Sequence, residues 1–587
     1  MFHEKQVLAA AGLSFIGLTM FVAPAQAQTA PDAGRLLQEE RGRVLPSPPP
    51  SAQPPVMTQP GAKATLAPES GMVVKVRAFK LLGVTAVKEA KLLAIAAPSL
   101  GKEMGLRELQ AIAEQMAEYY RQQGYFLAQV ILPPQDVTEG VITLRAIEGR
   151  LKEGDQGVKV VGNKRVSRDL VRGMLRAPIA ANGALKQEDL ERGVLLLNDV
   201  PGVNAGVTVE PGVSAESTAL RAQLKDRPVV RGSLTLDNIG NRYTGIFRAG
   251  GNIFLDNPSG LGDQFAVSGN KGLDGEFNYG RVNYSLPLNN NGLRMSAGLS
   301  HVDYRSGKEL AAQNVTGKAD AYTVGLTYPV LRSKTSNLSL ALNYETRRMA
   351  GDTLGITTSD RTANVGGLNI FFDRIDQLAG GGVISGNLGV SGGSIDLSRL
   401  PSALVTDQFS AQTNGKFYKY TYGLNRLQTV NDSTVLQLSA NGQAGRHRNL
   451  DTSEKFSIGG PSAVRAYPSG QGLGDAGTVA SLELRTVVSR NTRLGNVPLG
   501  ELQLAAFYDY GHVTQYRNLW AGALSGPNSY SLKGAGLGVN LGRSGIYDLR
   551  VFYARQLGEN PGLSLTGKLS DGTSDRDRVA MLLNVYF

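Results

Sequence analysis

The chain has 587 residues, no cysteine, 72 glycines and a formal net charge of +11. The absence of cysteine excludes a disulfide framework, a thiolate metal site and a cysteine nucleophile. Charged residues make up 19% of the chain and hydrophobic residues 41%, which argues against long charged helices, coiled coils and intrinsic disorder. After these exclusions, the composition is that of a large β-rich protein in which glycine has a structural role.

The positive charge does not point to a nucleic-acid partner. The sequence has no Lys/Arg run, and basic residues alternate with acidic ones. Proteins that bind nucleic acid usually concentrate their charge on one face. We therefore expect no nucleic acid among the partners.

Residues 1–27 have the pattern of a secretory signal peptide. Lys5 precedes an apolar stretch from Val7 to Val22, and Ala25-Gln26-Ala27 forms an A-x-A cleavage site. The apolar stretch is short for a membrane helix, which needs about 20 residues. We predict that the chain leaves the cytoplasm and that its mature form starts near Gln28.

The sequence gives no support to an enzyme. It has only four histidines and no G-x-x-x-x-G-K-[ST] loop, so nucleotide chemistry and Ser-His-Asp catalysis have few candidate residues. The glycines of 534–538 resemble a phosphate loop loosely, but they lie in sequence with a strand pattern. We predict no catalytic residues, no cofactor and no metal site.

Residues 28–70 are predicted to hold a short helix and a spacer. The helix is expected over 31–44, where Leu36, Leu37 and Val44 stand among charged residues. Seven prolines follow between Pro46 and Pro60, a composition that adopts extended polyproline II and acts as a semi-rigid spacer. A disordered exported N-terminus is the alternative interpretation.

Residues 71–150 and 151–228 are each predicted to form a small β-α-α-β-β unit. In the first, a strand over Met72–Leu81 precedes helices near 87–96 and 109–120, then strands over 126–132 and 141–146. The second repeats this order with strands over 158–161, 203–209 and 219–224, and with helices over 166–175 and 190–197. Two unrelated α/β fragments are the alternative.

Residues 229–587 alternate between apolar and polar side chains, which indicates strands. Tyr322, Val324, Leu326 and Tyr328 share one face, for example, and Thr323, Gly325 and Thr327 share the other. A soluble sandwich and a membrane barrel both alternate. Segments of about ten residues and charged residues opposite the apolar face (Glu483, Arg485, Asp509 and Arg550) favour a transmembrane barrel with a wet lumen.

With these parts in place, the chain resembles the two-partner secretion transporters, the TpsB-type or hemolysin secretion/activation family, whose small units are POTRA domains. The local marks are Asp237–Gly245, Leu255–Asp263, the stretch Gly459–Tyr467 that is similar to the family's V-R-G-F/Y loop, and Phe507–Gly511. The resemblance implies an antiparallel β-barrel of about 16 strands after two POTRA domains, and a loop near 459–475 inserted into its lumen. It also implies that the helix at 31–44 plugs the barrel.

The family motifs carry over to particular residues of this chain. The loop tip corresponds to Val464, Arg465, Ala466 and Tyr467, and its lumenal partner strand to Phe507, Asp509 and Gly511. Asp509 shares a face with other lumenal residues, so we expect Arg465 to pair with it; two separately solvated charges are the alternative. Ala466 replaces the usual glycine, which would be strained if the position needed a positive φ. The chain ends on Tyr586 and Phe587, as many outer-membrane barrels end on Phe, which implies a signal for barrel assembly.

The resemblance implies a protein-export pore in the outer membrane of a Gram-negative bacterium, with the POTRA domains in the periplasm. Its expected partners are a secreted exoprotein of the adhesin or hemolysin class, outer-membrane lipid and the barrel assembly machinery. Two alternatives remain: an insertase for other outer-membrane proteins, and a passive porin-like channel.

Overall fold

The computed structural model describes residues 31–43, 73–162, 165–180, 183–212, 217–524 and 526–587. The expected signal peptide and the proline-rich spacer lie outside these ranges. No helix in the described ranges is long and apolar enough to span a membrane. The described residues form a short N-terminal helix, two small α/β units and a large barrel.

The first unit follows helix α1 (Ala33–Arg43) and packs two helices on a small sheet. Its elements are β1 (Val73–Lys75), β2 (Ala78–Leu82), α2 (Glu89–Ala96), β3 (Glu103–Gly105), α3 (Leu106–Gln122), β4 (Gln129–Ile131) and β5 (Val141–Ile147). The sheet order is β2-β5-β4, and β1 pairs only with β3. Leu109, Ile112 and Met116 on one face of α3 fill the core, as the helical spacing predicts.

Two strand predictions in this unit were wrong. The strand expected over Met72–Leu81 is broken at Val76, whose amide donates to the Lys102 carbonyl. The chain thereby pairs β1 with β3 before it enters the main sheet as β2. The strand expected over 126–132 shrinks to β4, because the Phe126 amide bonds back to Gly124 in a turn.

The second unit has the same plan around a larger core. Its elements are β6 (Arg150–Leu151), β7 (Val158–Val161), α4 (Arg168–Arg176), α5 (Gln187–Asn198), β8 (Val203–Pro211) and β9 (Ser217–Asp226). Strand β9 is central: β6 and β7 pair parallel with it, and β8 pairs antiparallel along its other side. Strand β8 is therefore an edge of nine residues.

The two units pack into each other. Ala184 of the second unit is buried in the core of the first, while Phe126 and Leu127 of the first pack on the core of the second. The Gln187 amide donates to the Gly124 carbonyl across the joint. These reciprocal contacts make the pair a single arm.

The remaining chain forms a closed antiparallel barrel of 16 strands, which confirms the predicted fold class. Fifteen neighbouring pairs follow one another along the chain, and β10 pairs with β27 to close the ring through Leu234 and Val585. The strands are β10 (Val230–Asp237), β11 (Arg248–Asp256), β12 (Gln264–Gly272), β13 (Glu276–Pro287), β14 (Arg294–Arg305), β15 (Thr316–Arg332), β16 (Ser336–Thr353), β17 (Ile356–Asp376), β18 (Gly382–Asp396), β19 (Gly415–Asn431), β20 (Thr434–Arg446), β23 (Ala476–Leu494), β24 (Val497–Thr514), β25 (Ser529–Arg543), β26 (Tyr547–Gln556) and β27 (Asp577–Tyr586).

The strands are often longer than the predicted ten residues. Strand β17 has 21 residues and β23 has 19, more than the 9–11 or so that a tilted strand needs to cross a bilayer. A hairpin can keep its ladder of hydrogen bonds beyond the apolar band, where side chains meet water. Composition alone does not reveal such extensions, because polar residues that continue a ladder resemble those that end it.

The outer face of the barrel carries the apolar side chains that the alternation predicts. Tyr322, Val324, Leu342 and Leu368 are all exposed on it. The intervening residues face the lumen, among them Glu345, Arg347 and Arg361, which are buried there. Because these charged side chains are buried inside the lumen, the lumen must contain polar groups that pair with them.

The second unit docks on the turns at one end of the barrel. Arg332, the last residue of β15, donates two 2.8 Å hydrogen bonds to the Asp199 carboxylate. The Ser167 amide donates to the Gly260 carbonyl in the turn between β11 and β12. We call this the unit end of the barrel.

Candidate functional site

The candidate site is the lumen of the barrel, which holds α1 and one long loop. The loop, residues 447–475, joins β20 to β23, and its stem is the short hairpin β21 (Phe456–Ser457) and β22 (Leu473–Gly474). Its tip turns at Val464, where the Tyr467 amide donates to the Val464 carbonyl. Val464, Ala466 and Tyr467 are buried against the wall in one apolar cluster. We call residues 447–475 the lumenal loop.

Arg465 and Asp509 form a bidentate ion pair inside the barrel. The guanidinium donates from Nε to Asp509 Oδ2 at 2.9 Å and from Nη2 to Oδ1 at 2.8 Å, and the Arg465 backbone amide also donates to Oδ2. Ser481 Oγ donates to Oδ1 at 2.7 Å. Asp509 is fully buried, which is the setting in which charge-assisted hydrogen bonds are strongest.

Three further residues complete the surroundings of Arg465. Its Nη1 donates to Glu483, which in turn accepts from Arg485. The guanidinium lies 3.4 Å from the centroid of the Phe507 ring, a cation–π contact. Two arginines and two carboxylates thus balance their charge within the wall, and Phe507 covers one face of the guanidinium.

Two glycines of the wall make room for the loop tip. A Cβ on Gly511 would lie 2.9 Å from Val464 Cγ2, and a Cβ on Gly534 would lie 2.7 Å from Ala466 Cβ. Ala466 does not have a positive φ, so the strain considered for alanine in place of glycine is absent. Its methyl group instead occupies the space over Gly534.

Helix α1 lies in the lumen beside this loop. Leu36 and Leu37 are completely buried among lumenal side chains of β13–β17 that include Tyr279 and Val302. A Cβ on Gly34 would lie 2.4 Å from Met349 Sδ and 2.6 Å from Ser453 Cβ, so the helix approaches both the wall and the loop closely at Gly34.

Buried charges hold both ends of α1. Near its start, Asp32 accepts from Arg361 Nη2 at 2.5 Å, and near its end Glu40 pairs with Arg248. Asn270 Nδ2 also donates to Glu40, at 2.7 Å. The contacts of the helix to the barrel are therefore polar at its ends and apolar in its middle.

One arginine of the wall serves the helix and the loop together. Arg361 Nε lies 2.9 Å from Asp451 Oδ2 of the lumenal loop, while its Nη2 binds Asp32. Arg347 pairs in a similar way with Glu345 of β16 and with Glu454 of the loop, and Glu345 also pairs with Arg41 of α1. Helix, loop and wall thus share one network of charges.

The C-terminal residues lie at the seam of the barrel. Phe587 exchanges two backbone hydrogen bonds with Gly232, and a Cβ on Gly232 would lie 2.5 Å from its ring. Tyr586 donates its hydroxyl to Asp548 at 2.5 Å. These contacts complete the ring; a role in barrel assembly stays a prediction.

The sequence did not indicate the partners of α1 or the part that Glu483 and Ser481 play around Arg465. Arg361, Asp451, Arg248 and Glu40 are far apart along the chain, and no spacing links them. Ser481 had one available signal: it alternates in phase with Glu483 on a strand whose lumenal face was already predicted. Register, which only the structure supplies, places it directly opposite Asp509.

Comparison with known proteins agrees with this architecture. A family model described as haemolysin secretion/activation protein ShlB/FhaC/HecB matches residues 216–541, more than half of the chain. The chain belongs to this family. A second model, described as POTRA domain, ShlB-type, matches residues 74–149. The chain is therefore a two-partner secretion transporter with a POTRA domain and a 16-stranded barrel.

Similar proteins extend over most of the chain. The heme/hemopexin transporter protein HuxB of Haemophilus influenzae (strain 86-028NP) is 25% identical over 468 residues, which are 78% of this chain and 79% of that protein. The hemolysin transporter protein ShlB of Serratia marcescens is 25% identical over 80% of each chain. The solved structure of CdiB from Escherichia coli shares the fold, with a TM-score of 0.70 at 21% identity over 91% of this chain and 94% of that one.

Proposed function

We propose that this transporter lies in the outer membrane of a Gram-negative bacterium, keeps its two α/β units in the periplasm and exports an unfolded protein through the barrel. The observation that carries this proposal is the content of the lumen. The barrel is filled by a separate helix and by the lumenal loop, which pack on the wall through noncovalent side-chain contacts. A lumen whose occupants can shift can pass an extended chain.

The outer edge of β8 is the proposed docking site for the client. An extended peptide can add to an exposed sheet edge through main-chain hydrogen bonds with little demand on its sequence. Strand β8 has nine residues, whereas β4, its counterpart in the first unit, has three and is followed closely by Pro133 and Pro134. The longer edge offers more hydrogen bonds to a client.

One end of the β8 edge is already covered. Asn198 accepts from the Ala205 amide and donates to its carbonyl, both at 2.9 Å. Ala205 therefore turns its backbone groups away from β9. Because outward and inward backbone groups alternate along an edge strand, the backbone N–H and C=O groups of Val207 and Val209 also point outward. Their backbone groups have no strand partner within the described residues and are proposed to bind the client.

The client is proposed to be a large exoprotein of the adhesin or hemolysin class. This rests on the names of the similar proteins, which include hemolysin transporters and heme/hemopexin transporters. Because the sequence contains no P-loop motif, outward movement is proposed to be driven by folding of the client outside the cell. The chain itself is proposed to perform no catalysis.

The test compares the culture medium of a strain that lacks this gene with that of its parent. Loss of one or a few secreted proteins supports export, whereas loss of outer-membrane barrel proteins from the membrane fraction would support an insertase instead. An unchanged medium together with altered uptake of small solutes would support a porin. Each outcome selects one of the three functions.

Two matched variants test the docking edge. Val207→Pro removes the outward amide and the side chain, whereas Val207→Ala removes only part of the side chain. We expect secretion to fall with Val207→Pro and to persist with Val207→Ala, because proline cannot donate a hydrogen bond. Equal secretion by both variants would rule out docking at this edge. Hydrogen exchange of the β9 amides reports whether the sheet stays intact.

A further inference from the structure

The lumenal wall between α1 and the unit end has a regular arrangement of asparagine and glycine. Asn343 on β16 lies opposite Gly367 on β17, Asn369 on β17 lies opposite Gly389 on β18, and Asn387 on β18 lies opposite Gly423 on β19. Each asparagine faces the lumen and has a glycine beside it on the next strand. We call these six residues the amide wall.

The glycines allow the amides to lie flat against the wall. A Cβ on Gly389 would lie 2.5 Å from Asn369 Oδ1, and one on Gly423 would lie 2.4 Å from Asn387 Oδ1. Neither glycine has a positive φ, so backbone conformation does not require them. The reason for glycine is the neighbouring asparagine side chain, which could not lie against the wall if the residue beside it had a Cβ.

Two of the asparagines also bond to each other. Asn369 Nδ2 donates to Asn343 Oδ1 at 3.1 Å across the strands. Asn343 is exposed to the lumen, and Asn369 and Asn387 are partly exposed. The three asparagines therefore present neutral amide groups to the lumen, each with both a donor and an acceptor.

The wall formed by strands β23–β26, further around the barrel, is different. Strands β23–β26 expose the charged side chains of Arg485 and Arg550 to the lumen, and Asp548 lies 3.6 Å from Arg550. A fixed charge holds an opposite charge and repels a like one, and the strength of this effect rises where water is scarce. Such a surface discriminates between segments of a passing chain.

One aromatic side chain interrupts the amide wall. Phe371 lies beside Asn387 on the lumenal face, and 47% of its surface is exposed. An open cavity adjoins it, lined by Ser339, Phe371 and Asn387 among others. A single exposed ring offers a passing chain one apolar contact.

We propose that the amide wall is the track along which the extended client slides through the unit end of the barrel. This inference rests on the proposed export function and adds the path of the client. The side-chain amide of asparagine has the hydrogen-bonding groups of a peptide bond, so it can bind the backbone of any sequence. Such bonds exchange with water at little net change in free energy, which allows release at every step.

The test uses a photo-crosslinking amino acid at Asn387, with Asn540 of β25 as its matched control. Both are partly buried, lumen-facing asparagines, but Asn540 lies between Gln503 and Arg550 on the wall formed by β23–β26. The probe is the secreted protein that the gene deletion removes from the medium, fused at its C-terminus to a tightly folded domain that stalls it in the pore. If no such protein exists, the proposed function fails and the crosslink is not needed to judge it.

We expect the stalled client to crosslink to position 387 and to give little or no adduct at position 540. Equal adducts at both positions, or an adduct at 540 alone, would overturn the track. Crosslinking at 387 to another segment of the transporter, with no client adduct, would overturn it as well. Blotting for the client and for the transporter separates these outcomes.

A second measurement uses charge. Asn387→Asp keeps the shape of the side chain and adds a negative charge to the track, and we expect it to lower the rate of secretion. Asn540→Asp is expected to leave that rate unchanged. The proposal would be overturned if Asn540→Asp lowered the rate of secretion more than Asn387→Asp did. It would also be overturned if both variants secreted at equal rates with equal amounts of barrel in the membrane.

Discussion

Arg465 needs the geometry of a guanidinium and not only its charge. It donates to both carboxylate oxygens of Asp509 and to Glu483. Its guanidinium also lies over the Phe507 ring, 3.4 Å from the ring centroid. A lysine ammonium is a compact point charge and cannot reproduce this planar, bidentate arrangement. Substitution by lysine therefore separates the charge from the geometry.

We expect Arg465→Lys to lower secretion strongly while the barrel still assembles. A buried pair that loses one partner is destabilised by roughly 3–5 kcal/mol, and lysine here would satisfy only part of the carboxylates. Secretion is measured in the medium, and assembly by the heat-dependent mobility of the barrel in gels. Arg550→Lys is the control, because the Arg550 side chain is largely exposed in the lumen. Normal secretion by Arg465→Lys would show that charge alone suffices.

Ala466 and Gly534 form a pair that can be tested by compensation. Gly534→Ala would place two methyl groups 2.7 Å apart, which requires the loop tip to move, so we expect secretion to fall. Ala466→Gly alone should have a small effect, because Ala466 has no unusual backbone conformation. Combined with Gly534→Ala, it should restore secretion. A double variant no better than Gly534→Ala would contradict the contact.

The motif residues were predictable at this scale, but their partners were not. Arg465 and Asp509 stand out as family marks, and alternation along β24 places Asp509 in the lumen. The registers that bring Ser481 opposite Asp509 and Asn369 opposite Gly389 depend on strand pairing across the barrel. A shift by two residues would preserve every face and change every neighbour.

At the scale of elements, the position of α1 depends on Gly34. Gly34→Leu cannot fit between Met349 and Ser453, so we expect the helix to leave its seat and the conductance of the purified transporter in planar bilayers to rise. Gly42→Leu is the control on the same helix, because a Cβ on Gly42 meets nothing within 4 Å. Unchanged conductance in Gly34→Leu would argue against α1 as a plug.

The first unit depends on a buried carboxylate at the end of β5. Glu148 accepts from the amides of Thr85 and Ala86 at 2.7 Å each, and from the hydroxyl of Tyr120 at 2.9 Å. Burial by itself raises the pKa of Glu148, but these hydrogen bonds outweigh it and hold the pKa below its usual value. The charged carboxylate thus anchors the segment before α2.

We expect Glu148→Gln to destabilise the first unit by about 1–3 kcal/mol at neutral pH. Because the pKa is lowered on folding, the stabilisation is full above the unfolded value of about 4.3 and is lost as the pH falls through the folded value. The difference between wild type and Glu148→Gln should therefore shrink in acid. Hydrogen exchange of the α3 amides measures it, with the exposed Glu139→Gln as control. A difference independent of pH would contradict the role of the charge.

Helices and strand faces were largely predictable from periodicity, whereas strand ends were not. Helix α3 and the alternating faces of β15 and β27 lie where the sequence predicts them. The break at Val76 depends on a hydrogen bond to Lys102, a residue on a later segment. Local patterns carry no information about such contacts, which decide where a strand stops.

At the scale of the whole molecule, the arm formed by the two units is fixed to the barrel through charge. Single reversals, Asp199→Arg or Arg332→Asp, would place like charges together where the second unit meets the unit end of the barrel. We expect either single reversal to broaden the distribution of distances between a spin label on the second unit and one on the barrel. We expect the double reversal to make that distribution narrow again. The absence of native cysteine makes such labelling specific. If the double variant gave a distance distribution as broad as those of the single variants, this ion pair would not orient the arm.

Arg361, which binds Asp32 of the helix and Asp451 of the loop, has a consequence for the permeability of the membrane. If α1 leaves the lumen, Arg361 loses Asp32 and keeps Asp451, so we expect an incoming client to favour opening by supplying a compensating interaction. The closed population is then set by the same free-energy difference that the client must overcome. We therefore expect any change that tightens the exclusion of small solutes to raise the threshold for starting export as well, because both depend on this one free-energy difference.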